Sequence, residues 1–334
     1  MQAWVNKLWY QGHPLRFLLW PLSLLFAAIT GVRRQLFKLG LKQATKLPVP
    51  VIIVGNITVG GSGKTPMVIY LIELLRKQGF KPGVISRGYG VEIEGVRAVR
   101  PGDLAMNVGD EPAMIVARTQ VPMVVGAKRV DAAQKLLSEF DVDIIISDDG
   151  LQHYQLGRDI ELIILDGERG LGNGMLLPAG PLREGAWRLQ SVDQVIVNGV
   201  SNSTTATFAN QQSMQLQPTK WLPVSTTSEA CSPTANDELV AMAGIGNPQR
   251  FFNSLIEQGY QVSQTQAFDD HSRYSESVLD ELASGRLLVM TEKDAVKCRD
   301  FAKDNWWYLA VDAKLSSSFD KQLLAKINKL VADK

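Results

Sequence analysis

The stretch VGNITVGGSGKTP, residues 54–66, has the residue types of a phosphate cradle. Gly60, Gly61, Ser62 and Gly63 let several backbone N–H groups turn toward one anion, and the run that follows offers a helix N-terminus to it. Lys64 is spaced to reach the β- and γ-phosphates of a nucleotide, and the Thr65 hydroxyl to bind Mg²⁺. The P-loop pattern asks for glycine, four residues, then Gly-Lys-Ser/Thr. Here Thr58 holds the first position and Val59 follows it. Three glycines within four residues remain, so the physical requirement survives. A glycine turn opening a helix is the plainer reading of the loop alone. Strand, GGSGKT and helix in that order favour a nucleotide.

A nucleotide site also needs an acid at the tip of an apolar strand, to hold Mg²⁺ directly or through its waters. VDIIISDDG provides Asp148 and Asp149. Adjacent carboxylates at a buried strand end are costly unless a cation or hydrogen bonds meet them. A loop of solvated acids is the alternative. The guanine-reading pattern Asn/Thr-Lys-x-Asp is only approximated by LVMTEKD. Glu292 occupies the lysine position and Lys293 stands one place late, so ATP is the expected nucleotide.

The elements that must carry these residues follow from periodicity. VIIV (51–54), GVIS (83–86), PMVV (122–125), VDIIIS (142–147), ELIIL (161–165) and DQVIV (193–197) are short apolar runs ending in turn or polar residues. MVIYLIELLRKQG and RVDAAQKLLSEF are helix-like between them. Buried strands alternating with helices predict an α/β fold with a mostly parallel sheet covered on both faces. Residues 47–200 form the expected ATP-binding unit. Residues 201–236, rich in Ser, Thr, Gln and Asn, read as a connector in which QSMQLQP and KWLPVST could pair as two strands. LVAMAGIGNPQRFFNSLIEQGYQV and RLLVMTEKDAVKC restart the pattern in a smaller α/β unit, 237–334.

The N-terminal 46 residues are different. Lys7, Arg16, Arg33, Arg34, Lys38, Lys42 and Lys46 face no acid there, so the arm carries +7 and the rest 1 − 7 = −6. A basic arm on an acidic body points to an anionic surface as partner. Between Arg16 and Arg33 lie 16 uncharged residues. At about 1.5 Å each they make roughly 24 Å of helix, short of a roughly 30 Å hydrocarbon core. Pro21 is expected to interrupt it, and Trp4, Trp9, Tyr10 and Trp20 suit a membrane interface. A helix lying in the membrane face is expected; a helix packed on the protein's own core has the same periodicity. Cys231 and Cys298 fit no metal spacing and agree with a reducing compartment.

Several further segments have no place in a generic P-loop ATPase: ISRGYG (85–90), NVGDEPAMIVAR (107–118), VVGAKRVDAA (124–133), DDGLQHYQLGRDIELIILD (148–166), LLPAGPLREG (176–185) and FDDHSRYSES (268–277). With the P-loop variant and the basic apolar arm they closely resemble the tetraacyldisaccharide 4′-kinase family, over nearly the whole chain and in the same order. Thr58 in place of glycine is part of the likeness, and the connector matches least well.

The resemblance implies ATP-dependent, Mg²⁺-dependent phosphorylation of the 4′-hydroxyl of a tetraacylated disaccharide 1-phosphate in lipid A biosynthesis. The setting it implies is the cytoplasmic face of a bacterial inner membrane, with the protein peripheral or monotopic. The partners are then a membrane-embedded glycolipid and, through residues 1–46, the membrane surface; neither a nucleic acid nor an obligate protein partner is inferred. On the same likeness Asp110 in VGDEP is the catalytic carboxylate and His271 in DDH its partner from the second unit. Glu111, Asp148 and Asp149 join Thr65 as candidates for Mg²⁺ or its waters. Arg129, Gln152, His153, Arg183 and Glu184 become candidate contacts to substrate or phosphate.

Each assignment has a plainer alternative. Asp110-Glu111-Pro112 is also a good helix opening. His271 could cap a loop before a helical run, His153 could be a satisfied loop histidine, and Arg129 could pair with Asp131 or Glu139. For the whole protein the rivals are a membrane-associated P-loop ATPase acting on a protein partner, and a kinase of a soluble substrate.

Overall fold

The computed structural model describes residues 2–199, 210–225 and 230–333. Parts of the expected connector, 201–209 and 226–229, lie outside the described residues. The P-loop half contains β1 (Val51–Gly55), α3 (Lys64–Lys77), β2 (Pro82–Ser86), β3 (Val96–Val99), α4 (Ala105–Val108) and α5 (Asp110–Thr119). It continues through β4 (Met123–Gly126), α6 (Arg129–Glu139), β5 (Ile144–Asp148), β6 (Ile160–Asp166) and β7 (Gln194–Asn198). Before it stand α1 (Gln2–Tyr10) and α2 (Arg16–Lys38). After it come β8 (Gln211–Pro223), β9 (Glu238–Ala243), α7 (Pro248–Glu257), β10 (Gln261–Ala267), α8 (Glu276–Ala283), β11 (Leu287–Thr291), α9 (Glu292–Cys298), β12 (Trp306–Lys314) and α10 (Ser317–Ala332).

All twelve strands join one sheet in the order β10-β9-β11-β12-β8-β7-β6-β1-β5-β2-β4-β3. The β3–β4 and β8–β12 pairs are antiparallel and the other pairs between named strands are parallel. β1 lies between β6 and β5, and its five residues are buried, as a strand covered on both faces must be. Its side chains alternate between two cores. Ile52 and Val54 pack with Met67, Leu71 and Leu75 of α3, whereas Val51 and Ile53 pack with Ala132, Ala133 and Leu136 of α6.

Three expectations change. QSMQLQP and KWLPVST do not pair with each other: residues 211–223 run as one strand, parallel to β7 at its start and antiparallel to β12 thereafter. A strand long enough to serve both halves makes the sheet continuous where a separate ribbon was expected. α10, expected in the second unit, returns to the P-loop half. Phe319, Leu323 and Ile327 share the core with α3, and Tyr70 Oη donates to Asp320 at 2.5 Å. α2 runs through Pro21 without a break for 23 residues. Position 21 lacks only the bond to the Phe17 carbonyl, a local loss that the helix tolerates.

Candidate active site

The C-terminal edge of the parallel strands carries the phosphate loop. Residues 57–59 are pinned by an isolated antiparallel bridge: Thr58 bridges Leu182, Val59 N–H donates to the Pro181 carbonyl at 2.9 Å, and Arg183 N–H to the Ile57 carbonyl at 2.6 Å. That accounts for the missing glycine, because Thr58 is a bridge residue without a positive φ and so needs none of glycine's freedom. It also carries Arg183 to the loop. Gly63 does require glycine. Its φ is +94°, and a Cβ there would stand 2.6 Å from Asn198 Nδ2. Asn198 Nδ2 donates to the Ser62 carbonyl at 3.1 Å, so the last strand of this half braces the loop. Asn56 Nδ2 does the same from inside, toward Ser62 Oγ at 3.3 Å. Lys64 and Thr65 begin α3, where the N-terminal N–H groups face an incoming anion.

Parallel register sets Val54 beside Asp148, which brings the acid pair to the loop. Asp148 is fully buried; its Oδ2 accepts from Ser86 Oγ at 3.0 Å, and its Oδ1 has no hydrogen-bond partner. Burial, then the negative charges of Glu111 and Asp149, push its carboxyl up to about 7. Asp149 sits at φ +47° and meets Arg183 Nη1 at 3.0 Å and Lys64 Nζ at 3.7 Å. Burial would raise this carboxyl as well, but Lys64 and Arg183 outweigh it and hold it at about 2. Arg129, 3% exposed, donates from Nη1 to the Gly126 carbonyl at 2.8 Å and lies 3.4 Å from the Asp148 carbonyl; its Nε has no partner. It does not pair with Asp131 or Glu139. Burial lowers its guanidinium to about 10. Burial, then the Arg129 charge, pushes His153 down to about 4, so it is neutral.

Glu184 accepts from Gln152 Nε2 at 2.8 Å and Tyr154 Oη at 2.5 Å, and forms an ion pair with Arg188, whose Nε stands 3.3 Å away. It therefore orients Gln152 and Tyr154 rather than offering a free carboxylate.

The opposite bank is shared between the halves, where α5 of the P-loop half meets His271 of the second. Asp110 opens α5 behind Gly109, whose φ is +98° and whose missing side chain lets Gly88 and Tyr89 approach within 3.2 Å of where a Cβ would be. The helix-opening reading of Asp-Glu-Pro is thus correct, and compatible with a site role. His271 stands at φ +63°, with Nδ1 3.0 Å from Asp110 Oδ2 and its ring 4.9 Å from that of Tyr89. Burial would raise the Asp110 carboxyl, but the His271 hydrogen bond and the charges of Lys297 and Lys293 outweigh it and lower it.

One cleft of about 1130 Å³ joins these parts, from Phe26, Thr30 and Arg34 of α2 to the P-loop and on to Arg250 and His271 of the second half. Every residue expected in the site lines it except Thr58, which is paired in its bridge, and Asp110, which stands behind His271 with 15% of its side chain exposed. Sequence reasoning missed Lys293, Lys297 and Asp270, which surround the Asp110–His271 pair. The EKD of LVMTEKD was read against the guanine pattern, although two lysines four apart opening a helix were legible. Glu292, the residue that spoils that pattern, instead accepts from Arg118 of α5 at 2.7 Å. Among the described residues no three His, Cys, Asp or Glu side chains cluster closely enough to hold a metal by themselves.

A phosphate loop, an acid pair at the adjacent strand tip and a carboxylate–imidazole pair across the cleft define a P-loop phosphotransferase. The family model described as Tetraacyldisaccharide-1-P 4′-kinase (LpxK) matches residues 15–328. The chain therefore belongs to the tetraacyldisaccharide 4′-kinase family. It is 79% identical to the tetraacyldisaccharide 4′-kinase of Shewanella halifaxensis, with all of both chains aligned, and 77% identical to that of Shewanella pealeana, again with full coverage. Among solved structures, LpxK from Aquifex aeolicus in complex with ATP superimposes with a TM-score of 0.79 at 28% identity, covering 94% of this chain and 99% of that one.

Proposed function

We propose that this protein transfers the γ-phosphoryl group of ATP to the 4′-hydroxyl of a tetraacyldisaccharide 1-phosphate, a step of lipid A biosynthesis. The observation that carries the reading of the site is the 3.0 Å contact of His271 with Asp110 across the cleft from the P-loop. Loop N–H groups and Lys64 hold the nucleotide phosphates. Asp110, kept ionised by its cationic surroundings, accepts the proton of the sugar hydroxyl as that oxygen bonds to the γ-phosphorus. The bond from phosphorus to the β–γ bridging oxygen breaks, and ADP leaves with the electron pair. His271 orients Asp110.

The residues present suit a magnesium ion. Asp148 Oδ1 is buried without a partner, and Thr65 lines the same cleft. One or two carboxylates together with substrate phosphates are the usual magnesium environment. Thr65 and Asp148 would hold the ion, with Asp149 and Glu111 toward its waters, and it would supply neutralising charge on the phosphates. Arg129, His153, Gln152 and Arg183 are left to face the acceptor or its phosphate.

The two halves of the cleft are the proposed domains, with β8 and β12 as the joint between them. We place the protein on the cytoplasmic face of the inner membrane through residues 1–46. Phe17, Leu18, Leu25, Ile29 and Val32 of α2 are each at least 58% exposed, an outward apolar side that supports membrane contact. Length and composition alone would also permit α2 to cross a bilayer. Its middle is tied to the body, however: Ser23 Oγ donates to the Leu176 carbonyl at 2.8 Å and accepts from Ala179 N–H at 3.0 Å. Arg34 packs over the Trp187 ring at 3.7 Å. These ties favour a helix embedded along one side.

The test is transfer of label from γ-³²P-ATP to a tetraacyldisaccharide 1-phosphate in detergent micelles, with Mg²⁺ and with EDTA. Labelled lipid that requires Mg²⁺ is expected. Release of free phosphate without labelled lipid would replace this reading with that of an ATPase.

A further inference from the structure

Lys293 and Lys297 lie four residues apart on α9, so helical periodicity sets both on one side. That side meets the start of α5. Lys293 Nζ stands 2.9 Å from Asp270 Oδ1, 3.6 Å from Glu111 Oε1 and 3.4 Å from His271 Nε2. Lys297 Nζ stands 3.1 Å from Asp294 Oδ1 and 3.6 Å from Asp110 Oδ2. Their side chains are only 14% and 6% exposed. Such burial is unusual for lysine unless it is paired.

The helix that presents them is fixed in place. Thr291 Oγ1 caps it by accepting from Asp294 N–H at 3.3 Å. Asp294 is fully buried and accepts from Thr291 Oγ1 at 2.6 Å, Tyr274 Oη at 2.7 Å and Gly244 N–H at 3.0 Å. A carboxylate held by three donors besides Lys297 is a rigid post for that ammonium.

An ammonium donates and never accepts. Facing His271 Nε2, Lys293 requires that nitrogen to accept. The proton of a neutral imidazole then sits on Nδ1, the atom 3.0 Å from Asp110 Oδ2. Asp270 at 2.9 Å and Glu111 at 3.6 Å pair with Lys293 as an ammonium. Asp270 Oδ1 is 3.8 Å from Nε2, beyond hydrogen-bond reach, and is already engaged by Lys293. The His271 and Lys297 contacts both fall on Oδ2 of Asp110, which leaves Oδ1 for the acceptor hydroxyl.

We propose that Lys293 and Lys297 are positioning residues for the transfer: Lys293 keeps His271 Nε2 an unprotonated acceptor, so that the imidazole stays neutral while Nδ1 donates to Asp110, and Lys297 holds the Asp110 carboxylate against its post. The proposal rests on the Asp110–His271 reading of the site.

Nitrogen-15 NMR of histidine-labelled enzyme tests the first part. The chain has three histidines, and a His271→Gln variant assigns the signal. The wild type is expected as the neutral Nδ1–H tautomer, Lys293→Met as a gain of a proton on Nε2 while the acceptor-only Asp110 carboxylate keeps Nδ1–H, and Lys293→Arg as unchanged. An Nε2–H signal in the wild type overturns the proposal without any variant having to fold, and so does an unmoved signal in folded Lys293→Met. For the second part, Lys297→Met should lower kcat about 10²-fold, the lower end of what a placed base contributes. The KM for ATP should stay put, and Lys297→Arg should recover most of the loss. A wild-type kcat in Lys297→Met, or no recovery in Lys297→Arg, overturns it. Failure of the underlying site reading shows differently, as full turnover by Asp110→Ala with the tautomer still in place.

Discussion

Asp148 and Asp110 are both shielded carboxylates on opposite banks of one cleft, and their pKa values move in opposite directions. Asp148 lies among acids, with Glu111 and Asp149 adding to its burial, and rises to about 7. Asp110 lies beside donors and cations, where the His271 hydrogen bond and the Lys297 and Lys293 charges overcome its burial and lower it. Burial alone therefore does not set the protonation of a carboxyl group; the sign of the neighbouring charge decides. Chemically the contrast divides the labour. The P-loop bank leaves a buried carboxylate oxygen for a cation to meet, and the α9 bank keeps an ionised base for a hydroxyl proton.

The largest expected effect breaks the P-loop bank. Lys64→Ala should reduce phosphoryl transfer by about 10³-fold or more, as loss of a preorganised charge beside a transferring phosphate does. Near-normal labelling of the lipid by this variant would remove the loop from the reaction. Next, Asp110→Ala tests the other bank, with an expected loss of about 10²–10⁴-fold in kcat. If both variants lost only nucleotide affinity, the division of labour would collapse into a single binding role. A triple change of Leu18, Leu25 and Ile29 to Ser asks whether the cleft must be brought to its lipid. Vesicle sedimentation should fall at least about 10²-fold, since each exposed apolar side chain is worth about 1.5–3 kcal/mol when buried. Micellar turnover should change far less, and undiminished sedimentation would count against α2 as the anchor.

Smaller effects sharpen the comparison. Arg118 of α5 joins the two halves by donating to Glu292 at 2.7 Å and to the Val311 carbonyl at 3.0 Å, with Asp312 as a further partner. Arg118→Met should cost roughly 2–4 kcal/mol by leaving Glu292 buried and unpaired, measurable by denaturant unfolding. A cost within error would mean the halves are joined elsewhere. The least effect concerns His153, lowered from 6.5 to about 4. Below pH 6.5 the unfolded chain takes up a proton that the folded one refuses until about pH 4, so stability falls on acidification through that window. His153→Gln should flatten this part of the stability profile, and an unchanged slope would assign the acid sensitivity to other groups.

Much of the P-loop bank was legible because its chemistry is contiguous. The glycines, Lys64 and Thr65 lie within one turn of chain, and Asp148 ends a strand whose apolar run declares its burial. Thr58 looked irregular until its bridge to Leu182 showed what holds that position. The α9 bank was hidden. Asp110 and His271 are 161 residues apart, and only the resemblance joined them. Lys293 was read as a misplaced letter of another motif, because a linear pattern cannot show that α5 and His271 converge on it. Likewise the composition of residues 317–332 marks an amphipathic helix but not which half it covers, since either core would accept the same apolar stripe.

By itself the sequence determined the elements, the phosphate loop and the strand-tip acids, because backbone geometry and side-chain periodicity are local. The tertiary structure decided which carboxylate is ionised, which histidine nitrogen faces it and how the banks are joined. Those properties are sums of Coulomb and desolvation energies over groups brought together only by folding.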